Sequence, residues 1–257
     1  MAKASRGGRY SAATMRVTPT VVTPPTPQQV ASGNVLPKGG VAFSEFQQMS
    51  DDEKADVILD ALGVGTPMFL DDSGLQKFAY FTGLSDKPNV VSDSALDSMG
   101  GTEIFRTVSD AYNPNTDIGY SANDILKQIS EGDFTMYSDS GGSAHGKAIY
   151  FANNVSGSTV YGSGRNSDRT MRAKITGGKG IDESTLQSQY SKAVRSGDKL
   201  ARACQQAGYG SQENLYALAK GYTHVVDRYS GYHMVLNRSC LTVSDTYKQS
   251  NKLRGSW

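Results

Sequence analysis

Cysteine is nearly missing from this 257-residue chain: there are two, Cys204 and Cys240, where a disulfide framework would need several. Both fall in stretches that otherwise read as helix and strand, so buried free thiols are expected. Histidine is as sparse. The three, His145, His224 and His233, are scattered and give no metal-ligand spacing with the cysteines, which argues against a metal enzyme. Charge of either sign hardly dominates. Twenty-six basic residues face 25 acidic ones, and a net charge of +1 gives the whole chain no nucleic-acid or membrane signature. No apolar run is long enough to cross a bilayer. The opening residues, Met1 to Arg9, lack the apolar stretch of a signal peptide, so the expected setting is a cytoplasm or a particle assembled there. No Gly-x-Gly-x-x-Gly follows a strand pattern, no P-loop is found, and no internal repeat is apparent.

What the chain does have is hydrophobic content of 37%, enough for a core, and 28 glycines, which imply many loops. Residues 1–40 stand apart. They hold Lys3, Arg6, Arg9, Arg16 and Lys38 without a single acid, and Pro19, Pro24, Pro25, Pro27 and Pro37 among them. Such a segment buries too little apolar surface to offset its ordering entropy, and reads as a flexible, partly polyproline-like arm. It is either a tether for nucleic acid or a partner protein, or a solvated tail.

Residues 41–100 read as a small helical subdomain. Phe46, Met49, Val57, Ile58, Ala61 and Leu62 recur near helical spacing, and Ser50-Asp51-Asp52-Glu53 looks like a cap with an acidic first turn. Asp71-Asp72-Ser73 and Ser92-Asp93-Ser94 would cap two more helices. Beyond Gly100-Gly101 the pattern shifts. Residues 102–108 alternate like a strand, and Ser121 caps a helix reaching Ile129. Residues 134–137, 147–152 and 169–175 are strand candidates. Residues 182–207 form one long helix or two, and 212–220 a short one. Residues 223–226, 232–236 and 240–243 complete the strands. Many short strands with interspersed helices predict an α+β fold with a mixed sheet rather than a doubly wound parallel one.

The informative stretch runs from Ser138 to Gly162. It is a Gly/Ser loop containing Gly141, Gly142 and Gly146, then a strand, then a polar helix start, then Tyr161. The glycines let a backbone approach a ligand closely, and Tyr150 and Tyr161 offer two aromatic faces that could grip a planar ring.

Gly146-Lys147-Ala148-Ile149-Tyr150-Phe151-Ala152, followed by Ser156, Ser158 and Tyr161, resembles a signature of the ADP-ribosyltransferase superfamily, in the form found in poly-ADP-ribose polymerases and small phage-encoded relatives. The resemblance covers about seventeen residues. It implies a split, mainly antiparallel sheet over residues 101–257, and NAD as substrate. Tyr150 and Tyr161 would sandwich the nicotinamide, Ser158 would bond its amide, and Gly146, Phe151 and Ala152 would line the same site. Arg106, in Phe105-Arg106-Thr107, resembles the anchor residue of an early strand, contacting the dinucleotide beside Thr107. Ser138-Asp139-Ser140 faintly resembles the Ser-Thr-Ser element of arginine-type members. Val235-Leu236-Asn237-Arg238-Ser239 is similar to a segment of phage relatives, which implies a virion-associated or injected protein.

The family also uses a glutamate on a late strand, and here the sequence departs from the pattern. The candidate strand, Tyr232-His233-Met234-Val235-Leu236, has none; His233 stands where the carboxylate is expected, and Glu213 and Asp227 are the nearest acids. Two expectations follow. One is a transferase using Arg106, Tyr150 and His233, passing ADP-ribose to a protein or nucleic-acid acceptor. The other is an inactive fold of the same type serving as a virion structural or interaction protein. No membrane partner is expected.

Overall fold

Ser50 starts the first long helix, Asp51–Gly63, with a reciprocal cap: its side chain accepts from the Glu53 amide while Glu53 accepts from the Ser50 amide. Such a cap contributes about 1 kcal/mol. The same device opens the Ala122–Glu131 helix through Ser121 and Asp124, and single serine caps open Gly74–Thr82 and Asp93–Ser98. These starts agree with the sequence expectation. Residues 182–207 resolve into two helices, Glu183–Ser196 and Lys199–Gln205, parted at Gly197 in the left-handed conformation that favours glycine.

The computed structural model describes residues 36–64, 73–84, 87–113, 118–132, 147–162 and 166–249, without the side chains of Tyr112, Asn113, Ile118 and Tyr161. The expected arm over 1–40 lies almost wholly outside this set, and the expected strand over 134–137 lies entirely outside it.

Among the described residues, nine strands join in one sheet, along the path β1-β10-β6-β2-β5-β9-β8-β7 with β11 also on β6. Their ranges are β1 Asn89–Val91, β2 Thr102–Val108, β5 Ile149–Ala152, β6 Arg169–Ile175, β7 Gly180–Asp182, β8 His224–Asp227, β9 Tyr232–Val235, β10 Leu241–Ser244 and β11 Lys248–Gln249. A separate hairpin pairs β3, Ala111–Asn113, with β4, Ile118–Tyr120. Pairing is antiparallel except at the two ends of the path, β1 with β10 and β7 with β8. The fold is therefore α+β, with an open, mostly antiparallel sheet flanked by helices, as expected. Strands β1, β3, β4, β7 and β11 are too short for the alternation of the sequence to reveal.

Residues 41–84 do not keep a core of their own. Phe46, Ile58, Leu75 and Phe78 share one buried cluster with Cys204, Leu215, Leu218 and the sheet residues Ile104 and Phe151. The Asp51–Gly63 helix packs on Lys199–Gln205 and on Gly74–Thr82. Lys54 Nζ donates to the Ala219 carbonyl at 3.0 Å and Gln47 Nε2 to that of Leu218 at 3.0 Å, satisfying the exposed end of the Gln212–Ala219 helix. Both cysteines are buried and unpaired by disulfide, as expected.

Among the described residues the largest fully buried side chain is Arg238, at 0% exposure. Its Nη1 donates to the Ile129 carbonyl at 2.8 Å and its Nη2 to that of Gly132 at 2.8 Å. A cation thus closes the C-terminal end of the Ala122–Glu131 helix, where the helix dipole favours positive charge. Asn237 Oδ1 accepts from the Ser239 amide and starts the 3₁₀ turn that carries Arg238. The Asn237-Arg238-Ser239 segment has a structural task.

Candidate functional site

Strand β2 pairs with β6 over seven residues but with β5 at one position alone, Phe105 opposite Ala152. Past that point β2 and β5 part. Arg106 reaches across the parting: its Nη1 donates to the Tyr150 carbonyl at 2.8 Å, and its side chain is buried. Burying a guanidinium is costly unless it is paired, so this arginine is held for a reason beyond packing.

Side chains alternate along a strand, and directly paired residues share a face. The register therefore sets Phe105, Thr107, Tyr150, Ala152, Tyr232 and Met234 on one face of the sheet. It sets Arg106, Phe151 and His233 on the other. The expected trio of Arg106, Tyr150 and His233 is not assembled on one face: Tyr150 stands opposite Met234, while His233 stands opposite Phe151 and Val226. His233 thus shares the face of Arg106, and Tyr150 lies on the other.

Thr107 ties the site together. Its Oγ1 lies 2.9 Å from Ser158 Oγ and 2.8 Å from Thr170 Oγ1, and all three hydroxyls are buried. Ser158 donates to the Val155 carbonyl at 2.8 Å. Each hydroxyl has one proton, so the direction is determined: Thr170 donates to Thr107, Thr107 to Ser158, and Ser158 to Val155. The proton of Ser158 is therefore spent within the Val155–Ser158 helix, which packs on β2. In the expected role, as an amide contact, Ser158 would have only acceptor capacity left.

Phe151 and Ala152 are core residues, at 0% and 1% exposure, and Tyr150 is buried beside them. The backbone of Tyr161 ends the 3₁₀ turn Thr159–Tyr161, which also packs on β2; its side chain lies outside the described residues. So do Ser138, Ser140 and Gly146.

Of the two acids weighed from sequence, Asp227 is engaged in its own turn. Asp227 accepts from the Tyr229 amide at 2.9 Å, from the Ser230 amide at 3.3 Å and from the Ser230 hydroxyl, shaping the turn into β9. Glu213 lies in the first turn of the Gln212–Ala219 helix, where burial, helped by Glu183, raises its carboxyl above the usual range. Burial also drives His224 down to about 4, with His233 adding to the effect, and lowers His233 itself. Both rings are therefore neutral at neutral pH. His233 Nδ1 is buried with no hydrogen-bond partner.

The acid that does lie beside this segment was missed from sequence. Asp168, just before β6, is buried and accepts from Ser109 Oγ at 2.8 Å. The register continues Val108 opposite Arg169, so Asp168 and Ser109 share the face of Thr107 and Thr170. The polar parity of Asp168, Thr170, Arg172 and Lys174 was the available signal. Among the described residues no group of His, Cys, Asp and Glu could hold a metal ion, and no helix is long and apolar enough to cross a membrane.

No protein-family model matches the chain, and neither a curated protein nor a solved structure matches it.

Proposed function

We propose that this chain is an ADP-ribosyltransferase-like protein that binds NAD where β2 and β5 part, and passes ADP-ribose to a protein or nucleic-acid acceptor. The observation that carries the reading is the buried Arg106 guanidinium bridging to the Tyr150 carbonyl across that parting. The single pair between β2 and β5 supports a split sheet, and the Thr107–Ser158 bond brings the serine of the signature onto the same face as Tyr150. In this reading Arg106 positions the dinucleotide, and Tyr150 and Tyr161 hold the nicotinamide. The glycosidic bond breaks as nicotinamide departs with the bonding pair, and the ribose cation left behind is captured by the acceptor. Orientation and charge complementarity supply the rate. The basic, proline-rich residues 1–40 would dock the protein to a phage particle or nucleic acid.

A second reading has an observation of its own. Met234, not a carboxylate, stands opposite Tyr150 on β9, so the developing cation would lack its usual negative partner there. That favours a nucleotide-binding scaffold or virion interaction protein of the same fold.

Release of nicotinamide from labelled NAD, with and without bacterial lysate, separates the two. Turnover lost in both Arg106→Ala and Tyr150→Ala supports the transferase. Saturable NAD binding without turnover supports the nucleotide-binding scaffold, and the absence of both binding and turnover removes NAD from both readings and leaves the fold alone.

A further inference from the structure

We infer that Asp168 is a positioning residue of this site, holding the turn that carries Tyr161 against β2. The inference rests on the NAD-site reading for its ligand, but its geometry is independent of it. A Cβ built on Gly162 would lie 2.5 Å from Asp168 Oδ2 and 3.0 Å from Thr107 Cγ2. The carboxylate therefore occupies the space a side chain at 162 would need, and only glycine lets the turn seat this closely. Gly162 follows Tyr161 directly, and its amide closes the turn on the Thr159 carbonyl at 3.1 Å.

Two anchors thus fasten residues 155–162 to one face of the sheet. The first is the hydroxyl chain from Thr170 through Thr107 to Ser158. The second is Asp168, whose other oxygen is fixed by Ser109 at 2.8 Å, on the same face and two residues further along each strand. The first anchor holds the start of the segment at Ser158, and the second holds its end at Gly162. Between them lie the three residues Thr159, Val160 and Tyr161, so the backbone of Tyr161 has little room to move relative to β2. A buried carboxylate is costly unless it is hydrogen-bonded or paired, and the Ser109 hydroxyl supplies one such bond and fixes its orientation. Here its orientation sets the path of the turn.

The test uses the full chain in four forms: native, Asp168→Ala, Asp168→Asn and Gly162→Ala. Hydrogen exchange over residues 155–162 is read beside that of the Glu183–Ser196 helix, and NAD affinity is read by calorimetry. Asp168→Ala and Gly162→Ala should speed exchange in 155–162 by about tenfold and leave the helix unchanged. Asp168→Asn, which keeps the shape and the Ser109 contact, should restore exchange to within about threefold of native. NAD affinity should fall by about tenfold in the first two variants and largely recover in the third. Unchanged exchange at 155–162 overturns the anchor. Faster exchange everywhere overturns it as well, since Asp168 would then serve overall stability. Altered exchange with native NAD affinity overturns the positioning role. If the native chain shows no saturable NAD binding, the NAD reading fails and takes the positioning role with it, while the exchange comparison still decides the anchor.

Discussion

The guanidinium of Arg106 and the main-chain carbonyl of Tyr150 meet at 2.8 Å where β2 and β5 cease to pair. A lysine at 106 would keep the charge but lose the planar fork that can serve the carbonyl and a ligand together. Arg106→Lys should therefore remain folded yet lose NAD affinity by about tenfold or more, measured by calorimetry. Native affinity in this variant would remove Arg106 from the site.

Thr107 is the middle of a three-hydroxyl chain, so its removal takes one hydrogen bond from each of two buried partners. Thr107→Val should destabilise the protein by about 1–3 kcal/mol in urea unfolding, and Thr107→Ser by clearly less. Equal costs would mean that the methyl group, not the hydroxyl, matters here.

Arg238 closes the Ala122–Glu131 helix from within the core. Arg238→Met keeps the volume but leaves the carbonyls of Ile129 and Gly132 without their donor. A loss of about 3 kcal/mol is expected by denaturant titration, with residues 122–132 the first to exchange amide hydrogens. A variant as stable as the native chain would show that water replaces the guanidinium at no cost.

His224 gives the protein a pH dependence of known sign. Its folded value is lowered from 6.5 to about 4, so the unfolded chain binds the proton more readily between those values. The stability this neutral ring contributes is complete above pH 6.5 and is lost as pH falls toward 4. Burial lowers His233 in the same direction. Melting temperature should drop over that window, and drop less in His224→Gln. An identical slope in the variant would assign the drop to other groups.

Much of the scaffold was legible in the chain because its signals are local. Ser50-x-x-Glu53 and Ser121-x-x-Asp124 announced their helices, since a cap is made by residues three apart. Thr102–Val108 and Arg169–Ile175 announced their strands, since seven residues suffice for alternation to show. The α+β class followed from that pattern, and the mainly antiparallel sheet from what the resemblance implied. Arg106, Thr107, Tyr150 and Ser158 were legible as one group through a family resemblance; β2 joins Thr107 to Ser158 by their hydroxyls, while Arg106 meets only the main-chain carbonyl of Tyr150, from the other face.

What the tertiary structure alone decided is relational. His233 was expected to act with Arg106 and Tyr150, but pairing partners fix the face of a strand, and its pairing with Phe151 sets it on the face of Arg106, opposite to that of Tyr150. The place of Asp168 came only with β6 aligned on β2, which sets Gly162 against its carboxylate. The burial of Arg238 depends on a helix more than a hundred positions earlier in the chain. The sequence by itself determined which segments become helices and strands, because propensity, capping and alternation act over a few residues. The tertiary structure decided which side chains share a face and a pocket, because register and long-range packing set that, and neither is written in any single segment.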